Sequence, residues 1–578
     1  MKYKHRTQII FIMFLIFILA NSKSFAAPDA GSLLKHEEEI YKFNEAPSLK
    51  PKKLPQKEKR KKNISGANKI YVKNFKFIGE INKFNPRIFE NLLKNFINKE
   101  NTFEDLKYAA SLIQKFYLEN GYFLAQAFLP EQEVSDQVIT IKIIEGHLDK
   151  NKPYILKKNN VRLFDDLVSN YLNDALGSGL TSQSLERALL NLNNLPGLKA
   201  SSTITPGDEK DSSKIVVNLV EDDLVNRSIS YDNYGNRYTG KQRTNISLSI
   251  NNPSKYGDQL SFQTIFNKSS NYDFSKITYE FPILYSGLRS KITYSELEFE
   301  IGQELRTNPS SIGEASTSSI NFSYPLKLTS SNSIFLKTDY QSNEIYNEAI
   351  GTVTNDKVIE NYNIGLTYEK RDIFRSGDIS LFSIDTTFGD LDLSKVSLDY
   401  NNDQAASGAK KHGPFNKTLI NYYYSQRINE KINFKTYGLA QLSNKNLDSS
   451  EQISLGGITG VRAYPSGEAS GDQGYKFAAE LQTNLSEFLN YNISGTLFYD
   501  YGRIQQYKDS SNIILTTPNK YSLSGWGVGF DYNPNQDLSL QLVLSKTIGG
   551  NAGESSTGMD SDGRDDSSRA SLLLSFDF

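Results

Sequence analysis

Residues 537–545 read DLSLQLVLS, and leucine occupies alternate positions of this stretch. The segments 244–251 (TNISLSIN) and 318–325 (SSINFSYP) show the same alternation of apolar and polar residues. Successive side chains of a β-strand point to opposite faces, so a period of two predicts strands with one apolar and one polar face. From about residue 226 onward this pattern replaces helical periodicity, which predicts an all-β region of about 350 residues.

Two architectures fit this β region: an array of soluble sandwiches, or a closed barrel in a membrane. Aromatic residues cluster near the ends of the strand candidates, as in the interfacial girdle of membrane barrels. Connections of very unequal length, such as 401–415 and 551–568 against 251–259, also favour the barrel, as does the one-sided apolar end SLLLSFDF. Backbone polar groups in hydrocarbon need internal partners, so such a chain must close on itself. At roughly 22 residues per strand and connection, the region holds about 16 strands, enough for an aqueous lumen.

Composition and the N-terminus narrow the class of protein. The formal net charge of −1 over 578 residues argues against a nucleic-acid partner, and the absence of cysteine excludes disulfides and thiolate metal ligands. No stretch reaches the ~20 apolar residues of a membrane-spanning helix. Residues 1–26 have the basic start, short apolar core and small-residue exit of a secretory signal peptide, with a cut after Ala26. A buried N-terminal helix is the alternative; the signal peptide predicts a chain that leaves the cytoplasm.

Two segments separate the signal peptide from the first folded unit. Residues 27–44 contain a short helix candidate at 30–43, for which a disordered tail is the alternative. Residues 45–69 are rich in lysine and proline and cannot build a core, which predicts a flexible linker.

Residues 70–147 and 148–222 predict two tandem copies of one α+β unit, each with the order strand, helix, helix, strand, strand. In the first copy, Thr102 can cap a helix whose apolar residues recur on a single face. In the second copy, helix candidates at 163–176 and 182–194 precede two strands. Both units therefore lie ahead of the predicted barrel.

Four motifs occur in an order that resembles one known family. These are LERALLNLNNLPGLKASSTITPG (185–207), the hairpin at 230–261, LGGITGVRAYPSGEASGDQGY (455–475) and FYDYG (498–502). They resemble, in turn, the second POTRA module, the first barrel hairpin, the inward loop and the FxDxG strand motif of two-partner secretion outer-membrane transporters, the haemolysin activator-like or TpsB family. The resemblance implies a transmembrane 16-stranded antiparallel β-barrel at 223–578. Two α+β POTRA domains in the periplasm and a lumen-plugging N-terminal helix would precede it, in the outer membrane of a Gram-negative bacterium.

The resemblance also implies a structural lock that gates the pore. Arg462 of the inward loop would pair with Asp500 of FxDxG, with Tyr464, Phe498 and Gly502 in the same lock. Period two places Phe498, Asp500 and Gly502 on one face of their strand, which would be the lumenal face. A guanidinium grips a carboxylate through two parallel hydrogen bonds. We expect lumenal water to weaken the pair, so that it positions the loop more than it stabilises the barrel; a solvated surface arginine is the alternative.

One position of the inward loop departs from the family pattern. The family has glycine where Ala463 stands, and glycine freely adopts positive φ. The resemblance therefore leaves the backbone torsion at residue 463 open.

The implied function is an outer-membrane pore that binds an unfolded exoprotein, an adhesin, haemolysin or similar, and moves it to the cell surface. An unfolded chain can add to a sheet edge as an extra strand. We expect this POTRA groove at Tyr122, Leu124, Gln126 and Phe128, beside helix 103–119, although that helix's apolar face could simply be the unit's own core. Outer-membrane lipid and lipopolysaccharide are the other expected partners. Because no nucleotide-binding loop occurs, folding of the exoprotein outside would drive export, and we expect no cofactor and no metal.

Three other functions compete with secretion. An outer-membrane assembly factor (insertase) of the same superfamily would share the barrel and the POTRA modules; the linker, the helix candidate and the presence of only two modules favour secretion. A hydrolase needs an imidazole, and of His5, His36, His147 and His412 only the last lies in the barrel region, so we expect no enzyme. A plain porin would not need about 200 residues of α+β fold ahead of its barrel.

Overall fold

The chain is described by a computed structural model over most of its length. It describes residues 28–44, 69–134, 136–176, 180–267, 271–375, 377–486 and 491–578. The predicted signal peptide (1–26) and all of the predicted linker (45–69) except residue 69 lie outside the described residues. Among the residues that are described, no helix is both long and apolar enough to cross a membrane.

The N-terminal part forms one helix and a first α+β unit. In chain order the elements are α1 (Ala30–Asn44), β1 (Lys69–Val72), β2 (Asn74–Gly79), α2 (Arg87–Leu93), β3 (Lys99–Thr102), α3 (Phe103–Glu119), β4 (Gln126–Phe128) and β5 (Val138–Ile144). Strands β2, β5 and β4 form one sheet in that order, and β1 pairs with β3 in a separate ladder. As predicted, Thr102 caps α3: its hydroxyl accepts a hydrogen bond from the Asp105 N–H at 3.2 Å, and the Asp105 carboxylate accepts one from the Thr102 N–H at 2.9 Å.

The apolar face of α3 forms the core of this unit. Leu106, Ile113 and Tyr117 are buried on it and pack in one cluster with Phe89 of α2. The Tyr117 hydroxyl donates to Glu145 Oε1 at 2.9 Å, and burial together with this bond raises the pKa of the Tyr117 hydroxyl. The face that could have lined a binding groove is therefore used for packing.

The second unit repeats the plan. Its elements are β6 (His147–Leu148), β7 (Tyr154–Asn159), α4 (Asp165–Leu176), α5 (Ser182–Asn193), β8 (Leu198–Pro206) and β9 (Ser212–Glu221). Strand β9 is central, with β6 and β7 parallel to it on one side and β8 antiparallel on the other. The two units meet where the Ser182 N–H donates to the Gly121 carbonyl at 2.8 Å and Phe123 packs on the second core. The short strands β3 and β6 were not predicted.

The remaining chain closes into a barrel of sixteen antiparallel strands, as predicted. Its wall strands are β10 (Val225–Asp232), β11 (Arg243–Asn251), β12 (Gln259–Asn267), β13 (Tyr272–Pro282), β14 (Arg289–Glu300), β15 (Ile312–Leu328), β16 (Asn332–Ala349), β17 (Thr352–Arg371), β18 (Ile379–Asp392), β19 (Gly413–Arg427), β20 (Ile432–Ser443), β23 (Gln473–Asn484), β24 (Ile493–Gln505), β25 (Lys520–Tyr532), β26 (Leu538–Thr547) and β27 (Ser568–Asp577). Two short strands, β21 (Ile453–Ser454) and β22 (Ser470–Gly471), pair inside the connection between β20 and β23. A helix, α6 (Ser397–Gln404), follows β18, so the loop predicted at 401–415 instead holds the end of α6 and the start of β19.

The side-chain alternation of the wall follows the predicted period of two. On β24, Asp500 is fully buried while the neighbouring Tyr499 is 39% exposed on the outer face. The ring closes where β10 meets β27 through only five residue pairs, which makes this seam shorter than the pairing between the other wall strands. At its end the Phe578 N–H donates to the Arg227 carbonyl at 2.9 Å.

The second unit is docked on the near end of the barrel by aromatic and polar contacts. The rings of Phe164 and Tyr256 lie 5.0 Å apart, and those of Tyr171 and Tyr285 lie 5.4 Å apart. Asn170 Nδ2 donates to the Tyr285 hydroxyl at 3.1 Å. Because these barrel residues lie in the short turns after β11 and β13, the unit sits against the barrel mouth.

Candidate functional site

The connection between β20 and β23, residues 444–472, turns back into the barrel and is called here the inward segment. Its buried residues Val461 and Ala463 pack against Ile504 of β24 and Leu523 of β25. Burial of these apolar side chains against the inner wall stabilises the inward segment inside the barrel. Beside the segment and α1, the interior keeps a cavity of about 1490 Å³.

Arg462 and Asp500 meet on the inner wall. Arg462 Nε donates to Asp500 Oδ2 at 2.9 Å and Nη2 donates to Oδ1 at 2.7 Å, which is the bidentate geometry expected from the sequence. The backbone N–H of Arg462 adds a third bond to Oδ2 at 3.0 Å. The Arg462 side chain is 9% exposed and that of Asp500 is 0% exposed. The expectation of a wet, weakened pair was therefore wrong, because the inward segment shields both groups from water.

Three further wall residues complete the surroundings of the guanidinium. Arg462 Nη1 donates to Glu480 Oε1 at 2.7 Å, and the Tyr437 hydroxyl donates to the same oxygen at 3.0 Å. The guanidinium carbon lies 3.5 Å from the centroid of the Phe498 ring, a cation–π contact. Sequence reasoning missed Glu480 and Tyr437. The register of β23 against β24, which pairs Glu480 with Phe498, is what brings Glu480 to this position.

The other predicted members of the lock lie close to this pair. Gly502 faces the inward segment, and a Cβ there would come 2.8 Å from Leu455 Cδ2, so glycine provides the clearance for the segment. Tyr464 is buried, 3% exposed, within the apolar cluster of the segment. Phe498 thus contacts the guanidinium of Arg462 directly, whereas Gly502 and Tyr464 contribute to the packing of the inward segment.

The alanine that replaces the family's glycine is accommodated without strain. Ala463 does not have a positive φ, so no glycine is required for its backbone. Its Cβ points at Gly525 of β25, where an added Cβ would lie only 2.7 Å away. The missing side chain at 525 therefore provides the space that Ala463 uses.

We expect Gly525→Ala to displace the inward segment, because its new Cβ would meet Ala463 Cβ at 2.7 Å and the Lys546 carbonyl oxygen at 3.1 Å. The measurement is trypsin cleavage after Arg462, which burial prevents in the native chain; we expect it to become at least about tenfold faster. Gly529→Ala on the same strand is the matched control, since its Cβ would have ordinary contacts of 3.6 Å or more. Unchanged protection in Gly525→Ala would show that the wall does not constrain the segment there.

Helix α1 lies inside the barrel, beside the inward segment. Its Ala30 N–H donates to Asn347 Oδ1 at 3.0 Å, and Leu33 and Leu34 pack into an apolar cluster on the inner wall with Phe299 and Ile345. The helix that the sequence predicted at 30–43 thus occupies the lumen.

A charged cluster fixes the middle of α1 to the wall near the seam. Glu37 forms an ion pair with Arg243 and accepts a hydrogen bond from the Tyr272 hydroxyl at 2.6 Å. Arg243 also holds Asp232 through Nε at 2.9 Å and Nη2 at 3.2 Å. The side chains of Glu37, Arg243 and Asp232 are each at most 7% exposed. A carboxylate from the helix therefore shares one guanidinium with a carboxylate from β10.

The helix also touches the inward segment and the wall strand that follows it. His36 Nε2 lies 2.8 Å from Ser466 Oγ and 3.4 Å from the Tyr234 carbonyl oxygen. Lys476 Nζ pairs with Glu39 Oε2 at 3.2 Å. Polar side-chain contacts thus join the helix both to the inward segment and to the wall.

The predicted groove residues of the first unit fall in different environments. Tyr122 packs against the core, and Leu124 is half-buried. Gln126 and Phe128 point outward from β4, with Phe128 39% exposed. A groove of about 510 Å³ lies in the second unit between α5 and β8. Its lining includes Phe123, Leu185, Leu189, Asn193, Ala200 and Ile204.

Comparison with known proteins gives matches along most of the chain. The sequence model of the family described as "Haemolysin secretion/activation protein ShlB/FhaC/HecB" matches residues 211–532, and that of the "POTRA domain, ShlB-type" matches residues 70–146. A heme/hemopexin transporter protein, HuxB, of Haemophilus influenzae (strain 86-028NP) is 25% identical over 466 residues, which cover 80% of each chain. The outer membrane transporter CdiB of Dickeya dadantii (strain 3937) is 22% identical over 68% of each chain.

Solved structures share the fold. CdiB from Escherichia coli superposes with a TM-score of 0.71 at 18% identity and covers 96% of this chain and 100% of its own. BamA from Haemophilus ducreyi lacking POTRA domains 1–3 gives a TM-score of 0.50 at 12% identity, over 88% of this chain and 100% of its own. The likeness to CdiB includes both the barrel and the units ahead of it, since it extends over nearly the whole length.

Proposed function

The chain belongs to the haemolysin secretion/activation protein family ShlB/FhaC/HecB, and from this premise we propose how it moves an exported protein. It is an outer-membrane transporter of two-partner secretion and acts with a cognate secreted protein. The barrel spans the outer membrane of a Gram-negative bacterium, and its POTRA domains lie in the periplasm. Residues 70–147 are proposed as the first of these domains and residues 148–222 as the second.

The partner that suits this interior is a large exoprotein, an adhesin, haemolysin or similar, that crosses while unfolded. HuxB is named as a heme/hemopexin transporter and CdiB as an outer membrane transporter. While α1 and the inward segment are in place, the cavity of about 1490 Å³ beside them is too small for a folded domain, since 100 residues have a radius of gyration of about 13 Å. Lipid against the apolar outer wall and lipopolysaccharide at the distal loops are proposed as further contacts, with no nucleic acid.

We place the first docking step at the sheet edge of the second POTRA domain. Strand β8 is hydrogen-bonded to β9 on one side only, and its other edge borders the groove along α5. At that edge Asn193 donates to the Ala200 carbonyl at 2.9 Å and accepts from the Ala200 N–H at 2.8 Å. A side-chain amide thus makes the two bonds that an added strand would make. An extended polypeptide would replace it and continue past Ile204, which is 46% exposed.

We expect Ile204→Asp to lower export of the partner about fivefold or more, because a carboxylate in the groove opposes docking of an apolar side chain. The partner is measured by immunoblot of the culture medium. Thr203→Asp is the matched control, since Thr203 is exposed on the opposite face of the same strand. Equal export by the two variants would remove this groove from the pathway. The exposed Gln126 and Phe128 of the first domain would then be the next edge to test.

The observation that carries the proposal is that two elements, α1 and the inward segment, occupy the lumen of a closed barrel of sixteen strands, a strand number that leaves room for an aqueous channel. Both are held by side-chain contacts rather than by strand pairing with the wall. Withdrawal of α1 would open the route, and the Arg462–Asp500 lock would keep the segment in place while the partner passes.

Co-expression tests the function directly. The cognate exoprotein should reach the medium when the transporter is present and stay in the periplasm when it is depleted. If depletion instead lowered the amounts of many unrelated barrel proteins, the chain would be an assembly factor. We propose that export needs no catalytic step: His36 near Ser466 serves as a joint between helix and segment, and folding outside the cell drives transport.

A further inference from the structure

A second set of buried charges holds the inward segment on wall strands other than the two that carry the partners of Arg462. Where the segment enters the barrel, Ser449–Glu451 form one 3₁₀ turn. Asp448 Oδ2 accepts a hydrogen bond from Lys357 Nζ of β17 at 2.8 Å, and Glu451 pairs with Lys417 of β19. All four side chains are at most 10% exposed. We call these four residues the second clasp.

Further hydrogen bonds of the two carboxylates of the second clasp stabilise the turn and its contact with the wall. The other oxygen of Asp448, Oδ1, accepts hydrogen bonds from the Ser450 N–H at 3.1 Å and the Ser450 hydroxyl at 2.8 Å. The second oxygen of Glu451 accepts a bond from Asn361 Nδ2 of β17 at 3.0 Å. Asp448 therefore binds a wall lysine with one oxygen and its own turn with the other. Glu451 binds a wall lysine with one oxygen and a wall amide with the other.

Helix α1 rests directly on this turn. A Cβ at Gly31 would lie 2.7 Å from Ser450 Cβ and 2.9 Å from Ile345 Cδ1, so only glycine lets the helix approach so closely. One helical turn later, Lys35 Nζ donates to the Gln452 carbonyl just after the turn. The start of α1 thus packs on the turn Ser449–Glu451 as well as on the barrel wall. We call this turn the seat of α1.

We infer that Asp448, Glu451, Lys357 and Lys417 position the seat of α1, so that the second clasp holds the pore closed while the Arg462 lock positions the segment. The two sets of charges are separable because they use different strands, β17 and β19 against β23 and β24. This inference rests on the proposed function only in taking α1 as the element that closes the route. Breaking the second clasp tilts the seat and releases the helix, with Arg462 and Asp500 still in contact.

Planar-bilayer recording of the full-length protein tests this. Glu451→Gln and Asp448→Asn keep side-chain shape and remove the charge, and we expect each to raise the fraction of time spent open about tenfold. Asp385→Asn is the matched control: this lumenal carboxylate of β18 binds Ser383 at 2.9 Å and should leave the closed fraction unchanged. Exchanging the pair, Glu451→Lys with Lys417→Glu, should restore closure, which a merely destabilised barrel would not show.

A steric variant keeps the test decisive if a charge variant fails to fold, as judged by loss of the heat-dependent shift in gel mobility. Gly31→Ala favours helix formation, yet it should open the pore because its Cβ meets the turn. Wild-type closure in folded Glu451→Gln or in Gly31→Ala would overturn the inference. If the wild type exports no partner but these variants open as described, the proposed function fails and the second clasp stands.

Discussion

Replacing Arg462 with alanine is expected to lower export of the partner protein about tenfold or more while the barrel remains folded. The change leaves Asp500, which is fully buried, and Glu480 without their shared cation. Loss of one partner of a buried ion pair costs about 3–5 kcal/mol. This cost falls on the contact between segment and wall, because the sixteen-strand hydrogen-bonding of the barrel does not involve the Arg462 side chain. Export is measured by immunoblot of the medium, and folding by the heat-dependent shift in gel mobility.

A set of related variants separates charge from geometry. Arg462→Lys keeps the charge but loses the bidentate grip and the flat contact with the Phe498 ring, so we expect intermediate export. In Arg462→Ala combined with Asp500→Asn, part of the loss should be recovered, because one orphaned carboxylate has been neutralised. Arg564→Ala, in a distal loop where the side chain is 52% exposed, is the control. Wild-type export by the folded Arg462→Ala variant would refute the role of the lock.

The family resemblance named the Arg462–Asp500 pair, and the strand period predicted the faces of the residues in FYDYG, but neither predicted the other neighbours of the guanidinium. Alternation within FYDYG placed Phe498, Asp500 and Gly502 on the inner face, because a period of two is a local property of the strand. Glu480 could not be paired with Arg462 in the same way, since that contact depends on the register of β23 against β24. Burial was misjudged for a related reason. It arises when the inward segment covers the wall, and no local pattern reports that packing.

The POTRA region shows the same limit. Helix caps and helical faces were predicted from local signals, and Thr102 caps α3 as expected. The docking groove was expected in the first domain, whereas a groove of about 510 Å³ lies between α5 and β8 of the second domain. Which strand keeps a free edge depends on the order of the strands in the folded sheet. No residue of the motif at 185–207 indicates that order.

We expect the second large effect from the ion pair between Glu37 and Arg243, which the sequence analysis did not predict. Glu37 and Arg243 are 206 residues apart in the chain, and although Arg243 lies in the hairpin motif at 230–261, nothing in that motif indicates Glu37 as its partner. Their pairing joins the helix in the lumen to β11, while Asp232 on β10 holds the same guanidinium. Strand β10 is also the strand that closes the barrel against β27. The cluster therefore links the position of the helix to the wall beside the seam.

Replacing Glu37 and replacing Arg243 should have different consequences, although the two residues form one ion pair. In Glu37→Gln the helix loses its charged contact, but Arg243 keeps its two bonds to Asp232 and no buried charge is orphaned. We expect a folded barrel whose fraction of open time in planar bilayers rises about tenfold or more. In Arg243→Gln both Glu37 and Asp232 lose their cation while still buried, so we expect a marked loss of folded protein, beginning at the β10–β11 hairpin beside the short seam.

The comparison is decisive because it is made at one site with two readouts. Gel mobility with and without heating reports the barrel, and bilayer recording reports the helix. Glu37→Gln introduced into Arg243→Gln should recover part of the folded yield, since it removes one of the two orphaned carboxylates, whereas Glu38→Gln, the next residue of the helix, should not. If Glu37→Gln stayed closed like the wild type, or if Arg243→Gln folded in full yield, the cluster would be a passive lining of the lumen and the helix would be held by its other contacts with the wall and the inward segment.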